Sequence, residues 1–290
     1  MRHLVEVRRF SVQMACKAMR FNRSSYYYER KEGEYERMLI KELHTLSKQY
    51  PRWGYLQMTE QLRRRGFRVN KKRVQRLWRL EGLKVPVKQV KKRRTGNSTT
   101  PRQQALYPNH VWSWDFVFDR TDDGRALKIL NIVDEYSRFS VSMEIGRTFT
   151  GKDVVAALGR AMVQYGIPGC IRSDNGSEFI STYIKNWLAE NAVGIHYIDP
   201  ASPWQNPFVE SFNGTMRDEC LNRELFETLF EAKVVLPDWR NIYNLERTHG
   251  SIDAHTPAEV YGKFIPQARS PIGEQSGGNT GFYADTQVIH

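Results

Sequence analysis

From residue 34 to residue 83 apolar side chains recur at helical spacing, and from residue 110 the spacing changes to that of strands. Leu39, Leu43 and Leu46 share one face of a helix that must stop at Tyr50-Pro51, because the residue before a proline is pushed out of helical geometry. A second helix is predicted over about 55–65, closed by Gly66. Asn70 then caps a third, K-K-R-V-Q-R-L-W-R-L-E, which Gly82 ends. Val74, Leu77 and Trp78 turn inward on that last helix, while Lys71, Lys72, Arg73, Gln75, Arg76 and Arg79 cover the remainder. Three helices with a basic final one predict a helix-turn-helix that lays its last helix in the major groove of DNA. Ahead of it, residues 11–30 predict a short helix, a turn and another short helix, with Ser11 as cap and Val12, Ala15, Ala18 and Met19 on one face.

Beyond residue 110, V-W-S-W-D-F-V-F, A-L-K-I-L-N-I-V-D and R-F-S-V-S-M-E-I predict three strands in a meander, the first two joined by a turn at T-D-D-G-R. A helix near 151–165, a strand at C-I-R-S-D, a helix at T-Y-I-K-N-W-L-A-E-N, a strand at I-H-Y-I and a helix from about Pro207 follow. The pattern is that of a five-stranded mixed α/β sheet with helices on its faces. A further helix is predicted over 224–245, with Phe226, Leu229, Ala232, Leu236, Trp239 and Tyr243 along one side. The resulting division is a helical segment at 1–33, the helix-turn-helix at 34–84, a linker at 85–108, the α/β core at 109–220, a helical extension at 221–265 and an unstructured tail at 266–290.

Charge sharpens this division. The net +12 is concentrated in residues 61–95, where 15 Lys/Arg face the single acid Glu81, a local +14. Residues 106–265 hold 15 Lys/Arg against 22 Asp/Glu, a local −7. The basic stretch is a footprint for a polyanion, and Lys91, Lys92, Arg93 and Arg94 of the linker suit phosphate contacts that do not read bases. The acidic core needs cations to approach a nucleic acid. Three isolated cysteines, no paired Cys/His spacing, no membrane-length apolar run and no secretory signal predict a cytoplasmic protein without disulfides or structural zinc.

The candidate chemistry lies in three acids. Asp115 interrupts an apolar aromatic strand, where an ionised group is costly without a partner. Asp174 stands before Asn175-Gly176 at a strand's carboxyl end, with Glu178 as a competitor better suited to the first turn of the next helix. Glu210 lies on a helix, with Asn213, Gly214 and Arg217 expected on nearly the same face, a metal ligand beside a phosphate clamp. Asp134 also sits on a strand, and a structural or supporting role is expected for it. Asp119, Asp122 and Asp123 read as turn residues.

The D…D-x35-E spacing, the S-D-N-G-x-E-F turn and the N-P-x-x-E-S-F-N-G-x-x-R helix resemble the integrase core of retroviral-type DDE recombinases. Within that group the chain is similar to bacterial insertion-sequence transposases of the IS-three family, specifically the product of their second reading frame. The stretch I-Y-N-L-E-R-T-H-G-S-I-D-A-H-T-P-A-E-V and P-R-W-G-Y support this, so the resemblance covers about residues 34–262. Thr248 departs from the family pattern, where a proline commonly precedes the histidine at His249.

The resemblance implies an RNase H-like core in which Asp115, Asp174 and Glu210 are the catalytic residues and the ligands of two Mg²⁺ ions, with Mn²⁺ as a substitute. It also implies Asn213 and Arg217 as DNA contacts. The implied activity is phosphodiester cleavage and 3′-OH strand transfer at the ends of an insertion sequence, by a nucleoid-associated homo-oligomer on double-stranded DNA. The upstream reading-frame product would join it as fusion or partner, and no membrane is involved. A regulator that occupies element ends without cutting them is the rival reading, and a ribonuclease H activity is a weaker third.

Overall fold

The structure, a computed structural model, describes residues 2–27, 33–83, 85, 104–173, 181–198 and 206–262. It comprises two compact units, Met1–Lys88 and Gln89–His290.

In the first unit, three short helices, α1 (Arg2–Glu6), α2 (Val12–Ala18) and α3 (Arg23–Tyr26), precede three longer ones, α4 (Glu34–Gln49), α5 (Tyr55–Arg64) and α6 (Lys71–Leu80). Ser11 caps α2 by accepting from the Met14 amide at 3.2 Å. The buried pair on α2 is Ala15 and Cys16, whereas Ala18 and Met19 face outward, so the expected apolar face is rotated. Helix α4 does end before Pro51, and there Tyr50 stacks on Trp53 with ring centroids 3.9 Å apart. Asn70 caps α6 by accepting from the Arg73 amide at 2.9 Å. Leu39, Leu43, Leu46, Met58, Leu62, Val74 and Leu77 close a dry core among the three helices. The arrangement is helix-turn-helix-like, as the periodicity predicts.

The second unit is a five-stranded mixed sheet, β1 (Val111–Arg120), β2 (Ala126–Asp134), β3 (Ser140–Gly146), β4 (Cys170–Ser173) and β5 (Gly194–Tyr197), in the order β3-β2-β1-β4-β5. Strand β2 alone runs against the others. The helices are α7 (Gly151–Tyr165), α8 (Thr182–Glu190), α9 (Pro207–Met216), α10 (Leu229–Leu245) and α11 (Pro257–Gly262). Order and directions are those of the RNase H-like fold.

Alternation along each strand sorts the core into two layers. Trp112, Trp114 and Phe116 of β1, with Leu130 and Ile132 of β2, pack against Val154, Leu158 and Ala161 of α7 and Ile184 and Leu188 of α8. Val117 of β1, with Leu127, Ile129 and Val133 of β2, packs instead against Val209, Phe212 and Met216 of α9 and Leu236, Trp239 and Tyr243 of α10. Helix α10 begins five residues later than the apolar spacing predicts. Thr228 caps it at the Glu231 amide, at 3.1 Å, while Phe226 is buried ahead of it, outside the helix. The predicted tail at 266–290 lies outside the described residues.

Candidate active site

Asp115 has the same parity on β1 as Ser113 and Val117, so its side chain points to the α9 layer, away from Trp114 and Phe116. There its carboxylate is held at both oxygens. Oδ1 accepts from the Phe116 amide at 2.7 Å, and Oδ2 accepts from Nδ2 of Asn213 at 2.8 Å. These two bonds orient a half-buried carboxylate.

Helix α9 is fastened along β1 at three levels. Asn206, the residue before Pro207, donates to the Trp114 carbonyl at 3.4 Å, Asn213 reaches Asp115, and Arg217 donates to the Phe118 carbonyl at 2.9 Å. Proline at the first helical position needs no amide partner, and it starts the helix where Val209, Phe212 and Met216 can bury against the sheet. Glu210, one residue beyond Val209, is therefore exposed at the helix's first turn. Desolvation by the packed surroundings nonetheless pushes its carboxyl above the ordinary value.

Asp115 and Glu210 thus belong to one layer of the molecule, on elements tied directly together. Asp174 and its competitor Glu178 lie outside the described residues. Strand β4, which leads into Asp174, pairs in parallel with β1, Ser113 opposite Arg172. Among the described residues no group of three metal-ligating side chains converges.

The expected surface of Glu210, Asn213, Gly214 and Arg217 needs one correction. Asn213 is buried, and both ends of its amide are engaged, by Asp115 and by Asn131, so it is not placed to meet DNA. Arg217 is exposed and uses one of its five N–H donors on the Phe118 carbonyl, leaving the rest of the guanidinium beside the Glu210 helix. Asp134 takes the structural role expected of it. Fully buried, it accepts from the amides of Asn109 and Ser137 at 2.7 and 2.8 Å and from the Ser137 hydroxyl at 2.6 Å, which locks the turn after β2.

On α6, Lys71, Lys72 and Arg79 are exposed and Gln75 is half-buried. Arg73 and Arg76 both turn to Glu36 of α4, at 3.5 and 3.1 Å, so part of their charge holds the helices together. Lys91, Lys92, Arg93 and Arg94 lie outside the described residues. Sequence reasoning passed over Asn131 and the buried Arg172–Glu135 pair. The signal for Asn131 was present. A turn centred on Asp123 places residue 131 directly opposite 115.

An RNase H-like sheet joined to a helix-turn-helix-like unit defines a class of polynucleotide-processing proteins, and comparison with known proteins narrows it. Family models described as "Integrase core domain" match residues 105–203 and 191–257, and one described as "HTH-like domain" matches 29–93. The chain is 35% identical over 267 residues to the "Insertion element IS407 uncharacterized 31.7 kDa protein" of Burkholderia multivorans, covering 91% of this chain and 95% of that one. It is 34% identical to the "Insertion element IS476 uncharacterized 39.2 kDa protein" of Xanthomonas euvesicatoria, over 92% of this chain and 77% of that one. The "Putative transposase InsK for insertion sequence element IS150" of Escherichia coli is 26% identical over 89% of this chain and 96% of its own length. Among solved structures, a simian T-cell lymphotropic virus intasome is similar at TM-score 0.48 and 17% identity, over 84% of this chain and 80% of that one. The chain belongs to the bacterial insertion-element transposases built on an integrase core.

Proposed function

We propose that this transposase cuts and rejoins DNA phosphodiesters at the ends of its insertion element, with Asp115, Asp174 and Glu210 as ligands of divalent cations. The observation that carries the reading is Asp115. It is an ionisable group between Trp114 and Phe116 in the middle of β1, oriented at both oxygens and turned toward the helix that bears Glu210. A carboxylate placed there at a cost in solvation suits a cation. The donor set is all oxygen, which fits Mg²⁺, with Mn²⁺ as a substitute. A solved HTLV-2 integrase catalytic core is described as a complex with magnesium. Two such ions, when bound, activate the attacking water or 3′-hydroxyl and stabilise the leaving 3′-oxygen.

The chain's own residues supply position. Phe116 and Asn213 hold Asp115, and the bonds from Asn206 and Arg217 keep α9, and with it Glu210, beside β1. The remaining donors of Arg217 suit a phosphate oxygen. Lys71, Lys72, Gln75 and Arg79 of α6, with Lys91, Lys92, Arg93 and Arg94, would bind the element's terminal repeats in double-stranded DNA, and Arg73 and Arg76 would contribute what Glu36 leaves of their charge. A substrate with two ends calls for a homo-oligomer, with the upstream reading-frame product as fusion or partner. Within the described residues no helix is long and apolar enough to cross a membrane.

The test is resolution of a branched DNA that mimics a transfer product, in Mg²⁺ or Mn²⁺, by wild type and by Glu210→Gln. Cation-dependent resolution by wild type alone is expected. Equal activity of the two would overturn the assignment of Glu210. Inactivity of both with tight, salt-sensitive binding would favour a regulator that occupies ends without cutting.

A further inference from the structure

The antiparallel register that pairs β1 with β2 sets Asn131 directly opposite Asp115, and the same alternation turns both toward α9. Asn131 is fully buried among Leu127, Ile129 and Val133, where a primary amide is costly unless hydrogen-bonded. Its Nδ2 donates to Oδ1 of Asn213 at 2.8 Å, and Nδ2 of Asn213 donates to Oδ2 of Asp115 at 2.8 Å. Chemistry dictates the direction of this relay. A carboxylate only accepts, so Asp115 selects the amino end of Asn213. The carbonyl end of Asn213 is then left facing Asn131 and requires a donor, which the amino end of Asn131 supplies.

We infer that Asn131 is a positioning residue for the metal-binding carboxylate of Asp115, acting through Asn213. The inference rests on the reading of Asp115 as a ligand. Without the Asn131 donor, the carbonyl oxygen of Asn213 is left buried with no partner. Only the bond to Asp115 then holds the amide, so Asn213 shifts to satisfy its oxygen and Oδ2 of Asp115 loses the fixed donor that orients it beside the Phe116 amide. Partners one step behind a metal ligand typically change metal affinity or activity by about 10–100-fold when removed.

The full chain is titrated with Mn²⁺, with and without branched DNA, and the loss of the free-ion paramagnetic resonance signal gives the dissociation constant. Asn131→Leu removes the donor with little change in volume, Asn213→Leu breaks the next link, and the double variant closes the cycle. Thermal unfolding in EDTA verifies folding, and Asn131→Ala replaces Asn131→Leu if the larger side chain does not fit. Expected are a roughly 10-fold weaker Mn²⁺ affinity for Asn131→Leu, unchanged DNA binding in EDTA, and a double variant no worse than Asn213→Leu alone. Affinity within about twofold of wild type, or losses that multiply in the double variant, would overturn the positioning role. Glu210→Gln separates the two levels. If wild type binds no more Mn²⁺ than Glu210→Gln, the metal assignment fails and the inference with it; if wild type binds normally and the Asn131 variants do too, only the inference fails.

Discussion

Arg172 of β4 donates to the carboxylate of Glu135, just past β2, at 3.0 Å, and both side chains are almost fully buried. The pair spans from the strand that leads into Asp174 to the turn that Asp134 locks. Two charges taken out of water are tolerated because each neutralises the other, so removing one leaves an uncompensated charge in a dry place. Arg172→Met or Glu135→Leu alone is expected to cost about 3–5 kcal/mol, with the apolar double variant recovering most of that. Urea denaturation of wild type and the three variants measures it. Single variants as stable as wild type would show that water reaches this site.

Asp134 and Asp115 are both acids on neighbouring strands, and their surroundings separate their roles. Asp134 gathers its donors from its own turn and from Asn109, whereas Asp115 takes a bond from Asn213 of α9, the helix that bears Glu210. Asp134→Ala strands those donors and is expected to lower stability by about 3 kcal/mol, while the folded fraction keeps wild-type Mn²⁺ uptake. A stable Asp134→Ala protein with impaired Mn²⁺ uptake would give Asp134 a part in cation binding instead of a structural role.

Much of this was legible from periodicity. The inward residues of α6 and the five strands follow from apolar spacing, because each element presents one face to a core. The parity that turns Asp115 toward α9 also follows from the strand pattern, once helices are assigned to the sheet's faces. Asn213 was misread because helical spacing groups residues by angle and cannot say how deep a helix sinks. Packing of Val209, Phe212 and Met216 carries Asn213 below the surface while Glu210 and Arg217 stay at its edge. Likewise Arg73 and Arg76 looked like plain surface charge, and only the tertiary approach of α4 brings Glu36 to them. The late start of α10 has a local cause, since the Thr228 cap competes with helix extension through Phe226.

The division of labour on α6 has a measurable counterpart in DNA binding. Lys71 and Lys72 are exposed at the helix start, and each phosphate contact releases about 0.9 counterion on duplex DNA. Lys71→Ala with Lys72→Ala is expected to lower the slope of log affinity against log salt by about 2. Glu36→Gln should instead leave the affinity equal or raised, since Arg73 and Arg76 are released toward solvent, and should cost about 1–2 kcal/mol of stability. Fluorescence anisotropy across a salt series reports both. A weakened Glu36→Gln protein that stays folded would mean that Glu36 orients the two arginines for DNA.

His249, on the stretch where Thr248 departs from the family pattern, is held in its neutral form. Its ring lies edge-on to Tyr243 with centroids 4.8 Å apart, and Arg247 approaches Nδ1 at 3.3 Å. Burial first, then the charges of Arg247 and Arg138, depress its pKa to about 3. The unfolded chain takes up a proton near pH 6.5, whereas the folded one does not until about pH 3. Stability from this group is therefore complete above pH 6.5 and is lost as pH falls from there toward 3, by about 1.4 kcal/mol per unit. His249→Gln retains an acceptor for Arg247 but cannot titrate, so its stability should fall less steeply than that of wild type between pH 6.5 and pH 4.5. Paired denaturant titrations over that range isolate the difference, because every other titrating group is common to both proteins. Parallel slopes would mean that the imidazole is protonated in the folded state, and that Arg247 has moved aside to allow it.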